Sequence, residues 1–341
     1  MKKNSLIDTE NAPLVSIIVP CYNEQATIRV LLEAIYAQTY PRQALEVVIA
    51  DGMSTDGTRE EILAFVVSHP DLEVRVVDNP ASSIPSGLNF ALDASKGTYI
   101  VRLDAHSKPY PDYVERCVSD LEASLGDNVG GVWEIQPGGV GWQARSIAVA
   151  ASHPLGVGDA RYRLGGAAQP VDTVPFGAYT QDLIERIGDY DETLHSNEDY
   201  EFNVRVRESG GVVWMDPAIR TIYFARRSLG ALARQYWRYG YWKFRMLRRY
   251  PDTFRWRQLA GVFVLSFVIL GLLAIWSPFA RWLLFLELAL YVLVLLIAGV
   301  QRAYQEKDLA LSFGLPLAIA TMHFSWGTAF LWSLISSVIG K

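Results

Sequence analysis

The side chains best suited to chemistry sit where apolar runs end. Tyr99-Ile100-Val101-Arg102-Leu103 is a β-branched, apolar stretch that stops abruptly at Asp104-Ala105-His106. Hard oxygen from Asp104 and borderline nitrogen from His106 suit a divalent cation, Mg²⁺ or, with the imidazole tilting the choice, Mn²⁺. An ordinary strand-end turn is the alternative for so short a triplet. Asp51 closes a second run, Leu45 to Ala50, and leads into Gly52-Met53-Ser54-Thr55-Asp56-Gly57-Thr58; a turn before Gly52 is its plainest role. Further on, Ser196-Asn197-Glu198-Asp199-Tyr200-Glu201 opens a helix that runs to about Glu208. A carboxylate there can serve as a general base. Glu198, Asp199 and Glu201 can equally be first-turn acids favoured by the helix dipole, with Ser196 or Asn197 as the cap.

These residues need elements to hold them. Val15 to Val19 is strand-like up to Pro20, and Cys21-Tyr22-Asn23-Glu24 follows before a helical pattern from Gln25 to Gln38. Asp56 reads as the cap of a helix through about Phe65; Glu73 to Val77 is a third strand, Ile84 to Ala94 a helix, and Tyr99 to Leu103 the fourth strand. Strands and helices alternating at this spacing predict an α/β fold with a doubly wound, mostly parallel sheet, whose ligands bind at the carboxyl ends of the strands. Pro20 to Glu24, Asp51 to Thr58 and Asp104 to His106 all fall at such ends and should share one crevice. Asp127 to Val171 is Gly-rich, carries Gly138-Gly139-Val140-Gly141-Trp142, and reads as a long irregular loop of the kind that covers a site. Strand character resumes at Thr173 to Tyr179 and again over Gly211 to Asp216 and Ile219 to Phe224.

Composition limits the partners. The 341 residues are 50% hydrophobic with a net charge of -5, yet from Arg220 to Arg257 eleven Lys or Arg face a single acid, Asp252. A basic block immediately before long apolar stretches is a juxtamembrane segment drawn to anionic lipid, which disfavours nucleic acid as the partner. Only Cys21 and Cys117 occur, without a Cys-x-x-Cys, so neither a disulfide framework nor a thiolate metal site is indicated. The polar tail of residues 1–13 shows no apolar core of a signal peptide, so the first domain, 14–226, is expected to stay in the cytoplasm.

The ordered series Pro20-Cys21-Tyr22-Asn23-Glu24, Asp51-Gly-x-Ser-x-Asp-Gly-Thr and Asp104-x-His106 resembles the nucleotide-sugar half of family 2 glycosyltransferases with the GT-A fold. No Gly-x-Gly-x-x-Gly or Gly-Lys-Ser/Thr loop competes with that likeness. The resemblance implies a UDP-sugar donor, with Pro20, Tyr22, Glu24 and Ser54 near the base and ribose and Asp51 accepting the uracil imide proton. Asn89 and Arg102 are placed near the same crevice, although both residue types are most often structural in such positions. Asp104 and His106 would hold a divalent ion on the diphosphate; many members carry Asp-x-Asp there, so the His departs from the pattern. Glu198-Asp199 matches the family's Glu-Asp pair, which makes Asp199 the base that deprotonates the acceptor hydroxyl, with Glu198 supporting it. One base without a nucleophile implies inversion. Gly177 occupies a position like the small residues that admit an acceptor; a turn glycine is the alternative.

Ser228 reads as the cap of a helix carrying Gln235-x-x-Arg238-Tyr239, which resembles the Gln-x-x-Arg-Trp motif of membrane synthases in the family, where these residues meet an acceptor sugar and the diphosphate. An interfacial helix built on Tyr236, Trp237, Tyr241, Trp242 and Phe244 explains the same stretch, 227–258, and both can hold. Residues 259–341 predict three membrane spans, about 259–277, 282–300 and 310–339, the last broken by Gly314 and Pro316. Over nearly its whole length the chain looks like the succinoglycan-type exopolysaccharide glucosyltransferases. The expectation is therefore an inverting, metal-dependent, multi-pass enzyme of the cytoplasmic membrane that passes a hexose from a UDP-sugar to a lipid-linked saccharide. A polyprenyl-phosphate sugar synthase, a processive polysaccharide synthase and a silent nucleotide-sugar-binding scaffold are the rivals.

Overall fold

A computed structural model describes residues 12–339, so the polar tail lies almost wholly outside the described residues. In chain order the elements are β1 Val15–Cys21, α1 Ile28–Tyr36, β2 Leu45–Asp51, α2 Thr58–Ser68, β3 Glu73–Asp78, α3 Ile84–Asp93, β4 Tyr99–Arg102, β5 Ser107–Pro109, α4 Tyr113–Glu122, β6 Asn128–Pro137, α5 Trp142–Ala151, α6 Pro154–Val157, α7 Arg161–Leu164, β7 Gln169–Pro170, β8 Ala178–Thr180, α8 Gln181–Ile187, α9 Glu198–Glu208, β9 Val213–Ala225, α10 Leu229–Arg249, α11 Ala260–Leu273, α12 Pro278–Glu306 and α13 Leu311–Val338. They fall into two compact units. The first takes the chain to residue 134 and 165–223; the second takes 135–164 and everything after 223.

In the first unit the sheet order is β3-β2-β1-β4-β8-β6-β9-β5, with β7 also on β9. β3, β2, β1 and β4 are parallel, as the alternation of strands and helices requires. β8 pairs antiparallel with both β4 and β6, and β5 and β7 pair antiparallel with β9. The sheet is therefore mixed rather than mostly parallel. The antiparallel half is built from β5 to β9, which lack the βαβ crossovers that parallel neighbours need. Side chains alternate across the parallel strands: Ile17, Val19, Val47, Ile49 and Val101 join Leu31, Leu32 and Ile35 of α1 and Val114 and Val118 of α4. Ile18, Val48, Ala50 and Ile100 face the other way, onto Leu88 and Leu92 of α3 and Phe202 and Val206 of α9.

β1 continues through Pro20 to Cys21 instead of stopping at the proline. Leu103 N–H donates to Ile18 O, so the β4-facing side of β1 ends its pairing there. Pro20 comes two residues later on that same side, where no partner strand asks for its missing N–H.

Asp127 to Val171 is not an irregular loop. It holds the ten-residue strand β6 and the ten-residue helix α5. Its glycines misled because one of them is a packing residue: a Cβ on Gly131 would come within 1.8 Å of Ile219 O on β9. Gly131→Ala should therefore force β6 and β9 apart and cost at least about 2 kcal/mol, at the upper part of the overpacking range because backbone cannot rotate away. A clear fall in melting temperature is the expected readout; an unchanged one would contradict this β6–β9 approach. The last two predicted strands are one, since β9 runs unbroken through Pro217.

In the second unit α5 and α6 belong with the C-terminal helices. Arg145 Nε reaches Asp308 Oδ2 at 2.8 Å, and His323 Nε2 meets Leu155 O at 2.7 Å. Among the described residues one helix, α12 with 29 residues, is long and apolar enough to cross a membrane. The three expected spans reduce to this one on those criteria. α11 has 14 helical residues, about 21 Å at ~1.5 Å per residue against a hydrocarbon core of ~30 Å. α13 is long, 28 residues, and passes unbroken through Gly314 and Pro316, but Ser312, Thr321, His323, Ser325 and Thr328 dilute its apolar character.

α10 runs from its Ser228 cap, whose Oγ accepts from Ala231 N–H at 3.3 Å. Gln235 is buried and donates to Tyr239 OH at 2.9 Å, and the Arg238 guanidinium lies 5.9 Å from the Tyr239 ring centroid. The three motif residues thus form one patch on this helix, while Trp237 keeps 43% of its surface exposed.

Candidate active site

The loops after β1 and β2 are zipped together by polar contacts. Asn23 N–H donates to Ser54 Oγ at 2.8 Å, Thr55 N–H to Asn23 Oδ1 at 2.8 Å, and Glu24 N–H to Thr58 Oγ1 at 2.8 Å. Asp56 is not the cap of α2 as expected: Gly57 holds the N-cap position without a side-chain capping bond, and Asp56 Oδ1, one residue earlier, accepts from Thr58 N–H at 3.0 Å. Ser54 is the hub, because its hydroxyl also donates to Asp51 Oδ1 at 2.6 Å.

Asp51 is fully buried and both its oxygens are engaged. Oδ2 accepts from Ser54 N–H at 3.0 Å and from Arg59 Nε at 2.6 Å, and Arg59 continues to Asp78 Oδ1 at 2.6 Å. The groups that face outward at this end of the crevice are Tyr22, 51% exposed, and the Arg59–Asp78 pair. Arg59 and Asp78 are absent from the sequence reading. Their signal was Arg59 in the first turn of α2, directly after the Asp-Gly-Thr, next to the strand end that β3 brings alongside.

Asp104 and His106 lie just beyond β4. His106 Nδ1 is 3.0 Å from Glu24 Oε1, and Glu24 Oε2 also takes the Thr27 hydroxyl. Glu24 therefore sits on the imidazole of His106 rather than standing alone beside Tyr22. An ionised carboxylate can only accept, so this contact requires a proton on Nδ1. That is the arrangement by which a carboxylate orients a metal-binding histidine. Among the described residues no three His, Cys, Asp or Glu side chains are grouped to hold a metal. Asp104 and His106 thus fit an ion that would complete its shell with ligand oxygens and water, as Mg²⁺ and Mn²⁺ do on phosphates.

Arg102 joins this edge to the start of α9. Only 4% exposed, it places Nη2 2.8 Å from Glu198 Oε1 and 3.3 Å from Asp104 Oδ1. Burial works against its charge, but Asp104 and Glu198 hold the guanidinium more firmly protonated than usual. Asp199 follows Glu198 in the first turn, with Oδ1 taking Tyr200 N–H at 2.7 Å. Burial and then the neighbouring Glu198 push its carboxyl up to about 6, against the pull of Arg102 and that N–H. Asn197 precedes it with a positive φ of 67° and no side-chain cap.

Two expected site residues are spent on internal structure. Asn89 donates to Tyr190 O and Glu192 Oε1, each at 2.9 Å, and accepts from Tyr190 N–H at 2.9 Å, so it pins the loop before α9. Gly177 faces the Asn128 amide, whose Oδ1 would lie 2.1 Å from an added Cβ, so its small size serves packing. Asp51 is nonetheless linked to His106 through Ser54, Asn23 and Glu24, and Asp104 is linked through Arg102 to Glu198, the residue before Asp199. Gln235, Arg238 and Tyr239 belong to the second unit.

A parallel α/β half with acids gathered at its strand ends, continued by an antiparallel half and a paired-acid helix start, defines a GT-A-like glycosyltransferase. The sequence matches the family model Glycosyl transferase family 2 over residues 16–188, and the chain belongs to that family. It is 30% identical over 318 residues to the Succinoglycan biosynthesis protein ExoA of Rhizobium meliloti (strain 1021), covering 92% of this chain and 93% of that one. A dolichyl N-acetyl-alpha-D-glucosaminyl phosphate 3-beta-D-2,3-diacetamido-2,3-dideoxy-beta-D-glucuronosyltransferase of Methanococcus voltae is 24% identical over 318 residues, covering 91% and 93%. Among solved structures, the mannosyltransferase PcManGT from Pyrobaculum calidifontis in complex with GDP-Man and Mn²⁺ shares the fold with a TM-score of 0.60 at 21% identity, covering 94% of this chain and 91% of that one.

Proposed function

We propose that the chain transfers a hexose from a UDP-sugar, UDP-glucose foremost, onto a lipid-linked saccharide, by a single displacement that inverts the anomeric carbon. The observation that carries this reading is the buried Arg102, hydrogen-bonded on one side to Asp104 and on the other to Glu198, the residue directly before Asp199. Asp199 takes the proton from the acceptor hydroxyl as that oxygen attacks. Asp104 and His106 would hold a divalent ion, which supplies positive charge to a departing diphosphate. Ser54 and Asp51 fix the two donor loops and Arg59 at the nucleotide end. With Asp104 assigned to the ion, Glu198 held by Arg102 and Glu24 on His106, this assignment leaves Asp199 as base and favours inversion over a covalent intermediate.

The lipid-linked acceptor is supported by the likeness to ExoA and by the Methanococcus voltae enzyme, whose name includes a dolichyl-borne sugar phosphate. Membrane attachment on the cytoplasmic side is supported by α12 and by the cationic α10, which ends in Arg248 and Arg249. Membranes containing the chain, given separate UDP- and GDP-hexoses and a lipid extract, should add one hexose mass to a lipid-diphosphate saccharide from a UDP donor. EDTA should stop the reaction and Mn²⁺ restore it. Transfer to bare polyprenyl phosphate alone, or a long polymer product, would replace this reading with one of its rivals.

A further inference from the structure

Arg102 makes a contact whose consequence reaches beyond donor binding. It stands at the end of β4, yet its Nη2 bridges Asp104, on the side of the leaving group, and Glu198, on the side of the incoming hydroxyl. Nε and Nη1 are buried and make no hydrogen bond. A guanidinium held through one nitrogen acts on its surroundings by its charge more than by a lattice of bonds, and a buried charge is felt strongly by its neighbours. The groups around Asp199 are few. Glu198 lies beside it on α9, Arg102 and Asp104 come from β4 and the turn after it, and Tyr190 lies in the loop before α9. Arg102 is the one cation in that set. Its place is fixed from behind by Tyr190, whose ring centroid is 5.9 Å from the guanidinium carbon. That ring stacks on Phe202 at 4.6 Å, and Asn89 holds its backbone.

We infer that Arg102 is a positioning residue for the base: it fixes Glu198 at the start of α9 and sets the positive charge beside Asp199, rather than binding the donor. The inference rests on the assignment of Asp199 as base made above. Its geometry sets opposite expectations for its two partners. Without the guanidinium, Asp199 faces the charge of Glu198 uncompensated and holds its proton more tightly. Without the Glu198 charge, the whole of Arg102 acts on Asp104 and Asp199, and the proton is held less tightly.

The test is the pH dependence of hexose transfer by the full chain in membranes, for the parent, Arg102→Met, Arg102→Lys and Glu198→Gln, with UDP binding titrated on each. Arg102→Met should lower kcat about 10- to 100-fold and move the acid limb of kcat upward by about one pH unit or more, with UDP affinity within about threefold of the parent. Arg102→Lys should bring the limb back toward the parent position, and Glu198→Gln should move it downward. Shifts of the limb in the same direction for Arg102→Met and Glu198→Gln, or no shift in either, would overturn the role. Loss of UDP affinity with an unmoved limb would make Arg102 a donor ligand instead. If Arg102→Met fails to fold, the direction given by Glu198→Gln against Arg102→Lys decides alone. Turnover by the parent tests the enzyme reading separately, since a parent without transfer removes the base assignment whatever the variants bind.

Discussion

Asp199→Asn is expected to reduce hexose transfer by about 10²- to 10⁴-fold, the range over which a positioned base contributes, while UDP binds as it does to the parent. The Asn side chain keeps the size of the carboxyl and can still take Tyr200 N–H through its oxygen, so the start of α9 stays in place. What it loses is the ability to accept a proton. The parent should show the matching pH dependence: with the carboxyl pushed up to about 6, transfer falls as the pH drops through that value and levels off above it. The sign for stability is the reverse of an ordinary paired acid. Because the folded value lies above the unfolded one, the ionised carboxyl disfavours the native state once the pH exceeds about 6, and this cost disappears below the unfolded value. Asp199→Asn should therefore melt no lower than the parent at pH 7 to 8, and higher if the repulsion from Glu198 is fully relieved. Near-full turnover in this variant would remove Asp199 from the mechanism. A lowered melting temperature would mean that Asp199 is a structural cap.

The parallel half was legible because its two signals are local. Apolar runs ending in Pro20, Asp51 and Asp104 give strand ends, and helical patterns between them give the crossovers, so one shared edge follows from general topology. Partners across the sheet were not legible. Nothing near Glu24 in the chain announces His106, eighty-two residues away, and nothing near Arg102 announces Glu198, ninety-six away. Gly131 and Gly177 misled for a related reason. Glycine marks both turns and close approaches, and only the neighbouring strand distinguishes them. The membrane region shows the limit of counting apolar residues: 259–277 is apolar enough to read as a span, whereas the backbone closes α11 at Leu273 and opens α12 on a Ser277 cap, four residues before the expected 282.

Asp104 and His106 lead to the second large effect. Asp104→Asn should lower kcat/KM by about 10²- to 10³-fold, since a Lewis-acid contribution to charge on a diphosphate is worth several kcal/mol and each ~1.4 kcal/mol is tenfold. Mn²⁺ binding in the presence of UDP, followed by calorimetry, should weaken in step. His106→Asp would restore the Asp-x-Asp form common in the family, and on first-coordination chemistry alone it should work well with Mg²⁺. The structure argues against that simple outcome. Glu24 Oε1 stands 3.0 Å from the imidazole nitrogen, so a second carboxylate at position 106 would face Glu24 as a like charge. The single variant should therefore bind the ion more weakly than the parent, by about 10- to 100-fold, as when the group orienting a ligand is lost. Adding Glu24→Gln replaces the repulsion with a hydrogen bond, and the double variant should regain affinity and shift its preference from Mn²⁺ toward Mg²⁺. If His106→Asp alone binds Mg²⁺ as tightly as the double variant, Glu24 does not orient residue 106, and the ion is held by other groups.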